Sequence, residues 1–154
     1  MRYVVVPCVG AGSLRLGMHR DEVRERLGEP DDTLVFDDPA ESQDWWPDDG
    51  VSALYDADGA CIEIALYAPA TAAVGGVRVL GGSADEARAA LRALDPACVD
   101  EEGLCVARAA GLALVDAEEG GLELIVTRPE RLAAAPDDAT PGDAAPDDAA
   151  RDEP

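Results

Sequence analysis

The stretch 12–30 and its weaker echo at 76–91 constrain the chain more than any other feature. In the first copy, Leu14 and Leu16 flank Arg15, the period-2 pattern of a brief strand with one buried face. Gly17 turns the chain into a helix. His19 stands at the N-cap, with Met18 before it and Val23 after it placed to pack as a hydrophobic staple. Asp21 and Glu22 fall in the first turn and Arg24 and Arg26 in the last, each sign where the helix dipole favours it. Val23 and Leu27 form an i, i+4 apolar pair. Gly28 suits the helix end and Pro30 forbids continuation. In the second copy Ser83 and Glu86 make a capping box, Ala87, Leu91 and Leu94 supply the apolar stripe, and Asp95-Pro96 ends the helix.

Each helix pattern is followed by a hairpin pattern. Val51–Tyr55 and 60–67 are β-rich runs joined through Asp56-Ala57-Asp58-Gly59, and Asp-Gly between such runs is a strong turn signal. Pairing Tyr55 with Ala60 places Val51, Ala53, Tyr55, Ile62 and Ile64 on one face and sets Ser52 against Glu63 on the other. The Asp-Ala-Asp-Gly run is not a calcium loop, because the position that should carry the bidentate Glu is Ala65. The second hairpin runs from 111 to 115 and from 121 to 126. Asp56 and Asp116, Glu63 and Glu123, and Pro69 and Pro129 match at one offset of 60, while the helices match at 64. Ahead of these elements, Tyr3-Val4-Val5-Val6 reads as a strand ended by Pro7. Thr33–Phe36 reads as a short strand in an otherwise irregular segment 31–44, and Trp45-Trp46-Pro47 ends that segment. Two adjacent tryptophans on an extended chain point to opposite faces, so one enters the core and the other stays outside.

The expected fold class is therefore α+β. Two tandem small units, each a short helix packed on an antiparallel sheet, occupy 1–70 and 71–132. The second is the more degenerate copy. Residues 133–154 repeat Pro-Asp-Asp-Ala and lack any aromatic or branched aliphatic side chain, the composition of a disordered acidic tail.

Composition narrows the partners. The 154 residues carry 33 acidic and 12 basic side chains, a net charge of −21. Such a surface repels nucleic acid and anionic membranes and speeds encounter with basic partners. No stretch approaches the roughly 20 apolar residues that span a bilayer, and Val4-Val5-Val6 is far shorter than a signal-peptide core of roughly 7–15 residues. A cytoplasmic location is expected. Cys8, Cys61, Cys98 and Cys105 contain no C-x-x-C pair, and His19 is the single histidine, so no metal site is expected. Cys98 and Cys105 flank a turn and would bridge in an oxidising compartment; four reduced cysteines is the favoured reading.

Leu14-Arg15-Leu16-Gly17-Met18, Glu22-Val23, Leu27-Gly28 and Pro30, followed by Trp46, Tyr55-Asp56 and Gly59, resemble the G-M-x-x-x-E-V-x-x-x-L-G-x-P helix-plus-sheet module. That module is found in outer-membrane assembly lipoproteins of the BamE type. It also occurs as a tandem pair in the β-lactamase inhibitory protein and related small actinobacterial proteins. The second copy departs from it, with Gly81-Gly82-Ser83 in place of Gly-Met. The resemblance implies a concave sheet surface that grips a partner protein without catalysis.

No nucleophile, base and orienter stand at recognisable spacing, so neither enzyme chemistry nor a cofactor is expected. The expected function is a non-catalytic protein-binding module, an immunity or inhibitor protein for a basic toxin or enzyme. Phe36, Trp45, Trp46 and Tyr67, with Glu63, are its candidate partner-binding residues, because aromatic side chains are the usual interface anchors. Two other readings stay open: a housekeeping domain that oligomerises through an open sheet edge, and an acidic mimic of nucleic acid.

Overall fold

The computed structural model describes residues 2–37, 40–101, 104–116 and 121–133. Its elements are mostly strands, with few helices, in an α+β arrangement. In chain order they are β1 (Arg2–Val6), β2 (Gly10–Ala11), β3 (Leu14–Arg15), α1 (Arg20–Leu27), β4 (Asp32–Asp37), β5 (Ala40–Trp46), β6 (Val51–Tyr55) and β7 (Cys61–Tyr67). There follow β8 (Thr71–Val74), β9 (Val77–Leu80), α2 (Ala84–Leu94), β10 (Val99–Glu101), β11 (Leu104–Ala107), a 3-10 turn (Arg108–Ala110), β12 (Leu112–Asp116), β13 (Leu122–Thr127) and α3 (Pro129–Ala133). The disordered tail expected from Ala133 onward begins inside α3 by one residue; the rest of it lies outside the described residues.

Both helices start as their sequences dictate. His19 Nδ1 accepts from the Asp21 amide at 3.1 Å, a workable substitute for a hydroxyl or carboxylate cap. Ser83 Oγ accepts from the Glu86 amide at 3.1 Å and Glu86 Oε1 accepts from the Ser83 amide at 3.2 Å, completing the capping box. Gly28 ends α1 with φ of 88°, a backbone region that glycine enters freely. The apolar face of α2 consists of Ala87, Ala90 and Leu91; Leu94, expected in that stripe, is 40% exposed because the helix stops at its position.

The strands build two sheets. A five-stranded sheet has the order β3-β2-β1-β8-β9, with β1 and β8 parallel. An eight-stranded antiparallel sheet has the order β10-β11-β12-β13-β7-β6-β5-β4. It runs without a break across the middle of the chain, because β7 and β13 pair, with Ala65 opposite Ile125. Buried side chains from both sheets and both long helices form one apolar cluster, from Tyr3, Val5 and Leu14 through Val51, Tyr55 and Ile64 to Leu91, Leu112 and Val126.

The first hairpin departs from its expected register. Ala53 faces Ile64 and Ser52 faces Ala65, so Ser52 does not meet Glu63. Tyr55 meets Cys61 where Ala60 was expected, and the register shifts between Leu54 and Tyr55. One strand carries an extra residue there, a β-bulge that periodicity alone does not reveal. The turn itself is as expected. Asp56 Oδ1 accepts from the amides of Asp58 and Ala60 at 2.9 and 3.0 Å, and Gly59 holds φ of 84°.

Candidate functional site

Residues directly opposite in a sheet share a face, and neighbours along a strand alternate. Those two rules sort the eight-stranded sheet. Trp46, Val51, Leu66, Leu124 and Leu114 follow one another across β5, β6, β7, β13 and β12 and are all buried. This is the face that joins the apolar cluster. The opposite face carries a row through Trp45, Ser52, Ala65, Ile125, Ala113, Val106 and Val99. Ser52, Ala65 and Ala113 are small and shut off from solvent, while Trp45, Ile125 and Val106 stand half-exposed around them and Val99 is exposed at the end. On either side of that row lie Leu54 and Glu63, and Tyr67, Glu123 and Val115, all half-exposed. The result is an open sheet face with a low floor, aromatic and aliphatic walls, and carboxylates set among them.

The two glutamates behave differently from surface acids. Burial raises the Glu63 carboxyl above its ordinary range; Arg131, at 3.5 Å, pulls it down, and Glu41 pushes it up. Burial likewise raises Glu123, and the charge of Glu63 adds to that. Glu63 thus has a guanidinium over it, supplied by α3, whereas Glu123 forms no ion pair among the described residues. Tyr67 lies opposite Glu123 across the β7–β13 pair, and its hydroxyl is also raised, by burial first and then by Glu123.

Of the residues singled out from sequence, Trp45, Tyr67 and Glu63 all lie on this face. Phe36 is opposite Glu41 on the edge strand β4 and so lies at its margin, 39% exposed. Trp46 does not join them. It is 4% exposed on the core face, and its indole Nε1 donates to the Gly28 carbonyl at 3.0 Å, tying β5 to the end of α1. Adjacent positions on one strand oppose each other, so only one tryptophan of the pair can reach the open face. Glu123 was not singled out, although its match to Glu63 at an offset of 60 is a sequence signal that marks it.

A second polar cluster, buried under α1, had no sequence signal beyond its charges. Asp44 is fully buried on β5. Arg24 grips it bidentately, Nε to Oδ2 at 2.9 Å and Nη2 to Oδ1 at 2.8 Å, and Thr33 Oγ1 donates to Oδ1 at 2.7 Å. Burial works against the charge, but the hydrogen bonds outweigh it and hold the carboxyl below its ordinary range. Tyr55, on the adjacent strand, has a buried hydroxyl that burial and then the nearby charge of Asp44 push up, and it meets no partner at good hydrogen-bonding geometry among the described residues. This cluster clamps α1 to the sheet.

Among the described residues no group of three or more His, Cys, Asp or Glu side chains is placed to hold a metal ion. No described helix is long and apolar enough to cross a membrane. Comparison with protein-family models, with curated proteins and with solved structures gives no match.

Proposed function

We propose that this chain is a non-catalytic protein-binding module, an immunity or inhibitor protein, that grips a basic partner through the open face of its eight-stranded sheet. The observation that carries the reading is Glu123. A half-buried carboxylate among Tyr67, Ile125 and Val115, raised by burial and without a cation of its own, is costly in the isolated chain. A guanidinium or ammonium group from a partner offsets that cost. Glu63 illustrates the fit, because the chain's own Arg131 already occupies the corresponding place. Trp45 and Tyr67 supply aromatic anchors beside the acids, and the net charge of −21 steers basic partners towards them.

The organisation we infer is two tandem helix-plus-sheet units, 1–70 and 71–132, as in the tandem modules that the first copy's motif resembles. The β7–β13 register supports it. Ala65 and Ile125 are opposite each other and sixty residues apart; Glu63 faces Thr127 and Tyr67 faces Glu123, so each acid meets the counterpart of the other's neighbour. A local two-fold axis through the Ala65–Ile125 pair generates that pattern. On this reading the open face has Glu63 and Glu123 as symmetry mates.

The test is affinity capture from the native lysate at low and moderate salt, repeated with Trp45→Ala and Glu123→Gln. A stoichiometric partner with a basic surface, released by salt and lost from both variants, is the expected result. A partner retained equally by both variants, or none at all, refutes it. One observation favours a second reading, self-association through an edge. All six residues of β4 are exposed, including Leu34 at 45% and Val35 at 73%, and among the described residues β4 is an edge strand of the eight-stranded sheet. Sedimentation equilibrium separates the two, since a tight homo-oligomer abolished by a proline at Val35 is expected only from edge pairing.

A further inference from the structure

The far end of the molecule from β4 holds a different kind of chemistry. Asp95 follows α2 and is 7% exposed, with Oδ1 accepting from the Ala97 amide at 3.0 Å and Oδ2 from the Ala109 amide at 3.1 Å. Those bonds pin the turn after α2 against the 3-10 turn and deliver Cys98 to the start of β10. Cys105 sits on β11, fully buried and facing the core. The two Sγ atoms stand 3.1 Å apart, so only about 1 Å of approach separates them from a bonded pair. Cys98 is partly open to solvent; Cys105 is not.

We propose that Cys98 and Cys105 are an oxidation site, a dithiol that closes into an intramolecular disulfide when it meets a small-molecule disulfide such as oxidised glutathione. Cys98, the accessible member, loses its proton and attacks one glutathione sulfur, expelling the other as a thiolate that takes up a proton. Cys105 then attacks Cys98 Sγ, giving up its own proton to the second departing glutathione. One small-molecule disulfide and two protein thiols become one protein disulfide and two small-molecule thiols; the two electrons pass to glutathione. The other cysteines are not built for this. Cys61 is 1% exposed, its Sγ rests 3.6 Å from the Glu63 carbonyl, and burial pushes its thiol up to about 12. Cys8 Sγ lies 3.5 Å from the Ala109 carbonyl, a weak contact with backbone.

The bond has a structural consequence. β10 is a three-residue strand that, among the described residues, stands at the edge of the sheet and pairs with β11 alone. A covalent link from Cys98 to Cys105 fastens the residue entering β10 to its one neighbour. The site and its consequence stand independently of the partner-binding reading above.

The full chain, equilibrated with oxidised glutathione and then alkylated without reduction, tests this by peptide mass mapping. The expected product has lost two hydrogens and two alkylatable thiols, and its map joins Cys98 to Cys105. Cys8→Ser gives the same product and Cys98→Ser gives none. Amide exchange at Val99 and Val106, which face each other across β10 and β11, slows by about tenfold in the oxidised form. Full alkylation of both thiols after oxidation, or a map joining Cys98 to Cys8, overturns the site. Equal exchange in the two redox forms overturns the stapling of β10.

Discussion

At the scale of single residues, the decisive quantity is how completely each buried polar group is matched. Asp44 is ionised, buried and matched by three hydrogen bonds, so its folded value lies below the ordinary 3.8. Its contribution to stability is fully present above that ordinary value and is lost as pH falls through the folded one. Asp44→Asn should therefore flatten acid unfolding below about pH 4, read by circular dichroism against pH. Asp44→Ala should cost about 2–4 kcal/mol in urea unfolding at neutral pH, towards the lower end because Arg24 can still reach water. The Tyr55 hydroxyl is the looser case, buried beside Asp44 without good hydrogen-bonding geometry to any group among the described residues. Tyr55→Phe removes an unsatisfied group without leaving a void, and it should change the urea midpoint little or raise it, by about 0–1 kcal/mol. A clear loss of stability would mean that the hydroxyl donates to Asp44 after all.

At the scale of elements, the helices and turns were legible because their signals are local. The Ser83–Glu86 box lies within one helical turn, and Ser83→Ala should cost about 1 kcal/mol with no change in the sheet, measured by thermal unfolding. The sequence pattern does not mark β2, β5, β8, β10 and β11 as strands; Gly10-Ala11 reads as loop. Ala40–Trp46 contains Glu41, Ser42, Gln43 and Asp44, a sequence that looks irregular because its inward positions hold Ser42 and Asp44. Those polar side chains are acceptable inside only because Arg24, Arg20 and Thr33 arrive from elsewhere in the chain. Thr71–Val74 is short and Ala-rich and earns its place by pairing parallel to β1, a partner almost seventy residues away. Nothing in a local pattern shows such a partner.

At the scale of the whole molecule, the pairing of β7 with β13 turns two hairpins into one sheet with one covered and one open face. On the proposed reading, Glu123 is the point where stability and binding conflict. Its folded value lies above the ordinary 4.5, so its ionisation costs stability, and folding weakens as pH rises from 4.5 through the folded value. Glu123→Gln should melt higher than the parent at neutral pH, with the difference vanishing below pH 4.5, where both folded and unfolded carboxyls are protonated. The same substitution should weaken partner binding, while Trp45→Ala should lower affinity by about 30-fold with little effect on the melting temperature, since Trp45 is on the open face. Isothermal titration with the captured partner measures both.

Local sequence determined the helices, their caps, the Asp-Gly turn, the two hairpins and the sixty-residue echo between them. Each of these depends on side chains within about four residues of one another, or on repetition that can be read by alignment. Tertiary structure decided which tryptophan is core, that the first hairpin carries a bulge, that Asp44 is an anchor and not a solvated charge, and that Glu63 and Glu123 share one face. Those outcomes depend on strand pairing between distant segments, and the free energy of that pairing is set by partners that no window of sequence contains.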